Sequence, residues 1–585
     1  MRQPDRRLWS ALACAALVVL GGAGCNAAPA TSAAGGQAVP GTEAETGPIA
    51  GAQADQARLV DVEDARIYAV SAVDPGSRTA YVAPATAPSV VPTAVLPARP
   101  LPYGLSDLAE LAAARQRPDG DWDLLMSVVV ERGATLRIEA PGVALRMASG
   151  HAGFTSIVAA KGTVELVGAL DNPLTITSWD PTTGAADGDL SDGRSYLRTA
   201  GGRLDLTDVS ASDLGFWSGR TGGVAWTGSQ TEPGTGSALR TVVRHSHYGM
   251  FAARTTGLTI DSGAVRDNEL DGLLVHRSSV GVTVRRLEAT GNGRNGVTVS
   301  AGASRVVLSA LTVRANAVTG VRFDGSPRAD PAAPPGTVPD PGRTFTLEHS
   351  VLDGNREAGI VADTAAELAL LDNSVAGSPD GILVRGAGPR QEVRGNTVEA
   401  SGFGIAVRDG ATDTQLIGNT VRTATIAMQV ADARADLRDN AVGAARRYGV
   451  SLVGASGGTT VAANRLGGHG PSAIDTARIA DGSAVHVGAN DDTGWVVQRD
   501  DSGRFFTYLA DHPLLLLWLL ILVLPVAAGL WTRHRRRLPD PTTGPSPVVG
   551  PVAEPEPVAA PPVVDPETTM AMPVTRVTIV SQVDA

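Results

Sequence analysis

Cysteine is almost absent from this chain of 585 residues. The two cysteines, Cys14 and Cys25, both lie in a hydrophobic N-terminal segment. If that segment is removed on export, the rest of the chain can form no internal disulfide, so its stability must come from a large core. Aromatic residues make up only 4% of the chain, whereas it has 68 glycines and 38 prolines. This composition disfavours a helical bundle and favours many tight turns with small or β-branched side chains.

An excess of basic charge is also lacking. The formal net charge is −11, so the chain as a whole does not attract a phosphate backbone, and we expect no nucleic-acid partner. An acidic ligand would need a local basic patch.

Long hydrophobic runs occur at two places, and the first has the pattern of an export signal. Arg2, Arg6 and Arg7 precede an apolar stretch over 8–20, which predicts a signal peptide over residues 1–28. Two cleavage routes remain open. The segment 22–25 resembles a lipoprotein box that ends in Cys25, although glycine replaces its usual leucine, and the small residues at 26–28 suit ordinary signal peptidase.

The second run, over 513–532, predicts a transmembrane helix because its length suits ~30 Å of hydrocarbon. A basic cluster at 533–537 follows it, which predicts that residues 533–585 form a disordered, Pro-rich cytoplasmic tail. The tail could recruit a cytoplasmic partner. The body of the chain is then extracellular and anchored to the cell membrane by a single span, with a flexible stalk and lead-in over 29–97 and a linker over 496–512.

A repeat of asparagine occupies the region between these segments. The steps from Asn268 to Asn464 are 24, 24, 39, 18, 23, 23, 21 and 24 residues, and the Pro-rich stretch 326–342 accounts for the longest step. A period of 21–24 residues with β-branched strands is typical of one turn of a parallel β-solenoid. Stacked asparagine amides can hydrogen-bond along such a column.

The sequence therefore predicts an all-β fold, a right-handed parallel β-helix of roughly fifteen coils over 98–495. An amphipathic helix over 103–116, with Ser106 as its N-cap, is expected to cover the open N-terminal end. Leucine-rich repeats are the main structural alternative, but their regular leucine positions are absent.

Several motifs carry a family resemblance. The segments Thr177-Ser178-Trp179-Asp180, 212–216, His247-Tyr248-Gly249-Met250-Phe251 and the coil 267–273 resemble periplasmic mannuronan C5-epimerases and their carbohydrate-binding and sugar-hydrolase β-helix relatives. The resemblance covers about 103–323. It implies an extracellular polysaccharide partner, with acidic polymers among the candidates, and no cofactor.

The chain departs from the signature of that family, in which Asp-Pro-His-Asp follows an asparagine coil. The matching positions are Leu274-Val275-His276-Arg277, so only the histidine remains. The arginine that follows Val-Ser in a later family coil is replaced by Ala301.

Epimerisation of a uronate needs a base, a cation that neutralises the carboxylate and a proton donor on the opposite face. The candidate catalytic residues are His276 as the base, Arg277 as the neutralising cation, a role that Arg254 could also fill, and Tyr248 as the proton donor or a sugar-positioning group. His247, Arg254 and Asp271 are the candidate substrate-binding residues. Neighbours in a regular strand point in opposite directions, so His276 and Arg277 share a face only if a turn or bulge follows the strand.

Plainer interpretations stay open beside this one. The pair His276 and Arg277 could be a solvated surface pair, and His245 with His247 lacks a third ligand, so we expect no metal site. Three classes of function follow: a carbohydrate-binding scaffold with a degenerate epimerase-like site, an active uronan epimerase or polysaccharide lyase that uses His276, and a structural or signalling surface protein without sugar binding. The residues leave open whether the chain is an enzyme.

Overall fold

The computed structural model describes residues 52–71, 79–300, 302–327 and 342–498. The chain divides into two compact units, 1–500 and 501–585, and every described residue lies in the first. The predicted signal peptide 1–28, transmembrane helix 513–532 and tail 533–585 lie outside the described residues. Among the residues described, no helix combines the length and apolar character needed to cross a membrane.

Three stacks of parallel strands build the body of the protein, and each coil adds one strand to each stack in the order sheet A, sheet B, sheet C. Sheet A and sheet C each have fifteen strands, and sheet B has fourteen. The predicted parallel β-helix of roughly fifteen coils is therefore confirmed.

The strands of sheet A pair in parallel with the coil on either side. They are Thr93–Leu96, Ser127–Val130, Ser156–Ala160, Tyr196–Ala200, Val224–Thr227, Met250–Ala253, Leu273–His276, Val297–Ser300, Thr319–Asp324, Ala358–Asp363, Asp380–Arg385, Phe403–Arg408, the ends of the long strands Thr420–Ala431 and Ala441–Gly454, and Ile474–Ile479.

Sheet B is parallel throughout. Its strands are Thr135–Glu139, Thr163–Val167, Arg203–Thr207, Thr235–Leu239, Thr259–Asp261, Thr283–Arg285, Ser304–Ser309, Arg343–Glu348, Ala366–Leu371, Gln391–Arg394, Thr414–Ile417, Ala435–Arg438, Thr460–Ala462 and His486–Val487.

Sheet C joins sheet A through the two long strands, which bend from one sheet into the other. The strands of sheet C are Trp122–Leu124, Ala144–Ala148, Leu174–Asp180, Val209–Ser212, Val242–Arg244, Ala264–Arg266, Glu288–Thr290, Thr312–Arg314, Val351–Asp353, Ser374–Ser378, Thr397–Ala400, the starts of Thr420–Ala431 and Ala441–Gly454, Arg465–Gly470 and Trp495–Val497.

Few elements lie outside the three stacks. Tyr81–Ala83, Ala114–Gln116 and Ala185–Ala186 are short strands that pair antiparallel with a stack strand. Two α-helices, α1 (Ala52–Ser71) and α2 (Leu105–Glu110), and a 3₁₀ turn at Gly219–Thr221 complete the described structure.

Alternation along each strand fills the space between the sheets. In Leu273–His276, for example, Leu273 and Val275 point inward and are fully buried in the central core. Leu274 and His276 therefore point to the outer face of sheet A. The same alternation in every coil makes one continuous apolar core.

Asparagine ladders fix the register of the coils at two different corners. Between sheets C and A, the side-chain amides of Asn268, Asn292 and Asn316 each donate to the amide oxygen of the next asparagine at 2.9 Å, and the column ends at Asn355. Between sheets B and C, a second column runs over six asparagines with donor to acceptor distances of 2.9–3.0 Å. Its members are Asn373, Asn396, Asn419, Asn440, Asn464 and Asn490.

The asparagines do not form the single series that the sequence suggested. The step of 18 residues from Asn355 to Asn373 is the point at which the column moves from one corner to the other. This move also explains why the next glycine lies further from Asn373 and Asn396 than from the earlier asparagines. Asn373 precedes a sheet C strand, whereas Gly381 precedes the core residues of a sheet A strand.

The capping helix exists, but its predicted bounds were too long and its N-cap was wrong. Helix α2 spans only Leu105–Glu110, and Gly104 is the N-cap because its backbone N–H donates to Asp107 Oδ2 at 2.8 Å. Leu108 is fully buried in the central core, so the helix does cover the end of the coil stack. The chain then turns into the strand Ala114–Gln116, which pairs with Trp122–Leu124.

Part of the segment predicted as a flexible stalk is a helix. Helix α1 lies on the outer face of the first strands of sheet A, and Val60 and Ile67 share a cluster with Val129 and Val158. Glu63 is buried, and it accepts hydrogen bonds from Arg66 at 2.6 Å and from the Tyr196 hydroxyl at 2.5 Å. Burial, followed by the charge of Glu63, raises the pKa of Tyr196, which keeps the phenol protonated as a donor.

We expect Asn419→Ala to lower the free energy of unfolding by about 1–3 kcal/mol, because buried polar partners lose their hydrogen bonds. The Asn419 amide donates to Val393 O and Asn440 Oδ1 and accepts from Asn396. Urea unfolding followed by circular dichroism measures the loss. Asn490→Ala, at the half-buried end of the same ladder, is the matched control and should cost less. Equal losses in the two variants would contradict a cooperative buried ladder.

Candidate functional site

The candidate residues lie on or beside the outer face of sheet A, in the strands Met250–Ala253 and Leu273–His276 and the turns around them. His276 ends its strand and is 7% exposed. Its Nδ1 is 2.9 Å from Ser300 Oγ, one coil further on. The strand is followed by Arg277, which has a φ of 37°, so the alternation of a regular strand stops there.

This turn brings His276 and Arg277 together. Arg277 Nε donates to His276 Nε2 at 3.4 Å. A guanidinium has no acceptor, so Nε2 carries the lone pair and Nδ1 carries the proton that is donated to Ser300 Oγ. The geometry therefore assigns His276 as a neutral imidazole. Arg254 lies at the same corner one coil earlier, and its backbone N–H donates to the Arg277 carbonyl at 2.7 Å.

A second group forms around His247, which is buried. Its Nδ1 lies 2.8 Å from Glu269 Oε2, and its Nε2 lies 3.1 Å from the Trp217 carbonyl oxygen. Both ring nitrogens of His247 therefore have an oxygen partner within the fold. Glu269 also accepts from Arg194 at 2.9 Å, so its carboxylate contacts both the His247 ring and the Arg194 guanidinium.

Tyr248 lies below the surface beside this group and is 1% exposed. Its ring is edge-on to His247 at 5.3 Å between centroids. The guanidinium of Arg294 lies 5.9 Å from the Tyr248 centroid. Arg294 donates to both oxygens of Asp271, at 2.7 and 2.5 Å.

Asp271 is fully buried and also accepts from the backbone and side chain of Asn295, at 3.0 and 3.1 Å. Both oxygens of Asp271 therefore accept hydrogen bonds from residues of the following coil. A ligand on the outer face would meet Arg294 before it met this carboxylate.

The structure does not bring the three candidate catalytic residues into one contact group. Phe251 stands between them, with centroid distances of 6.1 Å to Tyr248 and 6.3 Å to His276. His276 and Arg277 form one half of the candidate site with Arg254. His247, Tyr248 and Asp271 belong to the other half.

Sequence reasoning missed Ser300, Glu269, Arg294 and Arg194 as partners. Three of these contacts share one signal, because the partners are one coil apart. Ser300 follows His276 by 24 residues, Glu269 follows His247 by 22, and Arg294 follows Asp271 by 23. The coil period, applied to each candidate residue, would have found these three partners.

One set of side chains could hold a metal ion within the part of the chain that the structure describes. The ligand atoms of His151, Asp189 and Asp192 lie within 4.8 Å of one another. The pair His245 and His247 does not form such a set, because His245 is exposed in a turn with a φ of 52° while His247 is buried.

Comparison with known proteins bears on the fold. A family model described as "Right handed beta helix region" matches residues 223–398 and 338–490. Both matched segments lie within the stack of coils and agree with its parallel β-helix fold. Comparison of the sequence with curated proteins finds no match.

Solved structures with a similar course include the periplasmic alginate epimerase AlgG, with 14% identity, 70% of this chain and 86% of that chain covered, and a TM-score of 0.46. The A-module of the Azotobacter vinelandii mannuronan C-5 epimerase AlgE4 has 16% identity and a TM-score of 0.29. The alignment covers 64% of this chain and 91% of that chain. The Agl-KA catalytic domain has 13% identity and a TM-score of 0.30. The alignment covers 68% of this chain and 69% of that chain. Similarity at this level assigns neither a residue role nor an activity to this chain.

Acid should weaken the group around His247. Burial raises the pKa of Glu269, but the hydrogen bond from His247 and the charge of Arg194 outweigh it, so the pKa lies below its ordinary value of 4.5. A carboxylate with a depressed pKa stabilises the fold above its unfolded pKa, and this contribution is lost as the pH falls through the folded value.

We therefore expect Glu269→Gln to lower the free energy of unfolding at pH 7 by about 1 kcal/mol, since a third of the side chain is exposed. The difference from wild type should shrink as the pH falls below 4.5. Urea unfolding across this pH range measures it. Glu392→Gln removes a carboxylate from an exposed ion pair with Arg394 and should have a smaller effect at every pH. A Glu269→Gln difference that grows in acid would be the wrong sign.

Proposed function

We propose that the outer face of sheet A binds an extracytoplasmic polysaccharide and that the site around His276 is a binding scaffold. One observation carries this proposal. A single register position, outward-facing in each of six consecutive strands, holds polar or charged side chains. We call this column the polar lane, and its members are His276, Ser300, Asp324, Asp363, Arg385 and Arg408.

The chemistry of the polar lane suits a polyhydroxylated chain. Imidazole, hydroxyl, carboxylate and guanidinium groups follow one another at the strand spacing of ~4.8 Å. They offer both donors and acceptors to sugar hydroxyl groups. A polymer laid along the coil axis would pass one of these side chains at every coil, with His276, Ser300 and Asp324 each 7% exposed, whereas a compact ligand could reach only a few.

The contacts within the site favour a scaffold over a catalyst. Tyr248 is 1% exposed, so a polymer on the outer face would not reach the phenol that epimerisation would use as proton donor. Asp271 is enclosed by Arg294 and Asn295. Of the candidate residues, Arg277 contacts His276, whereas Asp271 is bound to Arg294 and Asn295.

A uronan C5-epimerase or polysaccharide lyase is the second candidate, and the tautomer of His276 favours it. Its Nε2 lone pair faces Arg277. If Arg277 moved onto a uronate carboxylate, it would neutralise that carboxylate and leave Nε2 to accept the C5 proton. Epimerisation then returns a proton to C5 from the other face. A lyase instead uses the electron pair to form a C4–C5 double bond while the C4–O bond breaks and the departing oxygen takes up a proton.

The proposal also includes the position of the β-helix and the tail relative to the cell membrane. The export signal over 1–28, the apolar run over 513–532 and the basic cluster after it support a single-span anchor, with the β-helix outside the cell and the tail inside. Whether Cys25 carries a lipid is left to experiment.

Polysaccharide binding by the purified, detergent-solubilised full chain tests the function. We expect micromolar to millimolar affinity for at least one extracellular polymer on a glycan array, confirmed by calorimetry. His276→Ala should weaken binding about tenfold, which is about 1.4 kcal/mol. His486→Ala, an exposed histidine on sheet B, should leave the affinity unchanged.

Two outcomes would change the assignment. If no polymer binds, the structural or signalling alternative replaces the proposal. If C5 protons of a bound uronan exchange with deuterium in NMR spectra, and His276→Ala abolishes the exchange, the chain is an enzyme and the scaffold proposal is wrong.

Location is tested separately. Protease added to intact cells should remove an epitope placed in the β-helix and spare one placed in the tail. Protection of the β-helix epitope would contradict the proposed topology.

A further inference from the structure

Arg408 differs from the other arginines that project from sheet A because it contacts no carboxylate. Its Nε donates to the amide oxygen of Gln429 at 2.8 Å. Its guanidinium carbon lies 4.1 Å from the centroid of the Phe403 ring. Within the described ranges, neither terminal nitrogen of Arg408 has an acceptor.

The neighbouring arginines show the contrast. Arg322 and Arg385 both contact Asp363, each at 2.7 Å. Near the end of the sheet, Arg478 contacts Asp475 at 2.7 Å. These arginines therefore each contact a carboxylate, whereas no carboxylate among the described residues lies in contact with Arg408.

The electrostatic surroundings agree with this contact pattern. Burial lowers the pKa of Arg408 and Arg385 lowers it further, whereas Asp380 and Asp409 raise it, and the balance is a lowered value. The guanidinium stays charged, but its charge is only partly compensated. An anion placed against the terminal nitrogens would complete the compensation.

Stacking on Phe403 holds the guanidinium plane and leaves its in-plane donors to a ligand. Two parallel N–H groups match the two oxygens of a carboxylate. The exposed edge of the Phe403 ring, which is partly buried, offers an apolar surface to the carbon side of a sugar ring.

We propose that Arg408, Phe403 and Gln429 form a subsite that binds the carboxylate of one sugar residue in an acidic polysaccharide. The inference rests on the proposed function, since it places this subsite at the far end of the polar lane. Five strand steps separate Arg408 from His276, which is about 24 Å at ~4.8 Å a step. The ligand that fills both positions is therefore a polymer rather than a single sugar.

Calorimetry measures the affinity of the full chain for three forms of one polymer. These are a carboxylated form, its carboxyl-reduced neutral form and a sulfated form. Arg408→Gln should bind the carboxylated form about tenfold more weakly, about 1.4 kcal/mol, with a shallower dependence on salt. The neutral form should bind wild type and Arg408→Gln equally. Arg408→Lys should recover only part of the loss, because lysine keeps the charge without the planar fork.

Arg438→Gln is the matched control, because it removes an arginine that pairs with Asp436 on sheet B. It should not change the affinity for any of the three forms. Thermal unfolding monitors the fold of every variant.

The outcomes separate this inference from the proposed function. If none of the polymer forms binds wild type, the proposed function fails. If the forms bind and Arg408→Gln weakens the carboxylated and neutral forms equally, or weakens neither, the carboxylate subsite is wrong while polysaccharide binding stands. A loss confined to the sulfated form would overturn the carboxylate assignment in favour of a sulfate.

Discussion

The hydrogen bonds between asparagine amides of successive coils are the constraint on which the rest of the structure depends. Each ladder asparagine within a column donates to the asparagine of the next coil. A shift of one residue in a coil that carries a ladder asparagine would break these bonds and turn core side chains outward. Because the ladders hold the register, side chains from distant parts of the sequence line up on one face, and this alignment creates the polar lane.

The periodicity of the sequence was sufficient to predict the coils, because every coil repeats the same physical requirements. Helix α1 was not predicted, since its buried face includes Glu63 and Arg66, and charged residues are normally assigned to solvent. Their mutual ion pair and Tyr196 make this burial possible, and none of these partners is visible from local pattern. The change of corner at Asn373 was missed for a similar reason, because spacing alone does not tell which corner an asparagine occupies.

The candidate site was predicted in part. His276 and Arg277 do meet, because a turn with positive φ follows the strand. His247 and Asp271 contact partners one coil away, and the identity of those partners depends on coil lengths of 22 to 24 residues. Sequence motifs place residues along the chain, whereas this fold brings together residues that are one period apart.

The most direct test of the central claim uses the absence of cysteine outside the N-terminal segment. Thr290 and Arg314 are register partners on the outer face of sheet C, and neighbouring strands lie ~4.8 Å apart, which a disulfide can span. The paired change Thr290→Cys with Arg314→Cys should therefore oxidise readily, whereas Thr290→Cys with Thr312→Cys, two residues out of register, should not. Equal oxidation of both pairs, or oxidation of the second pair alone, would contradict the register on which the account rests.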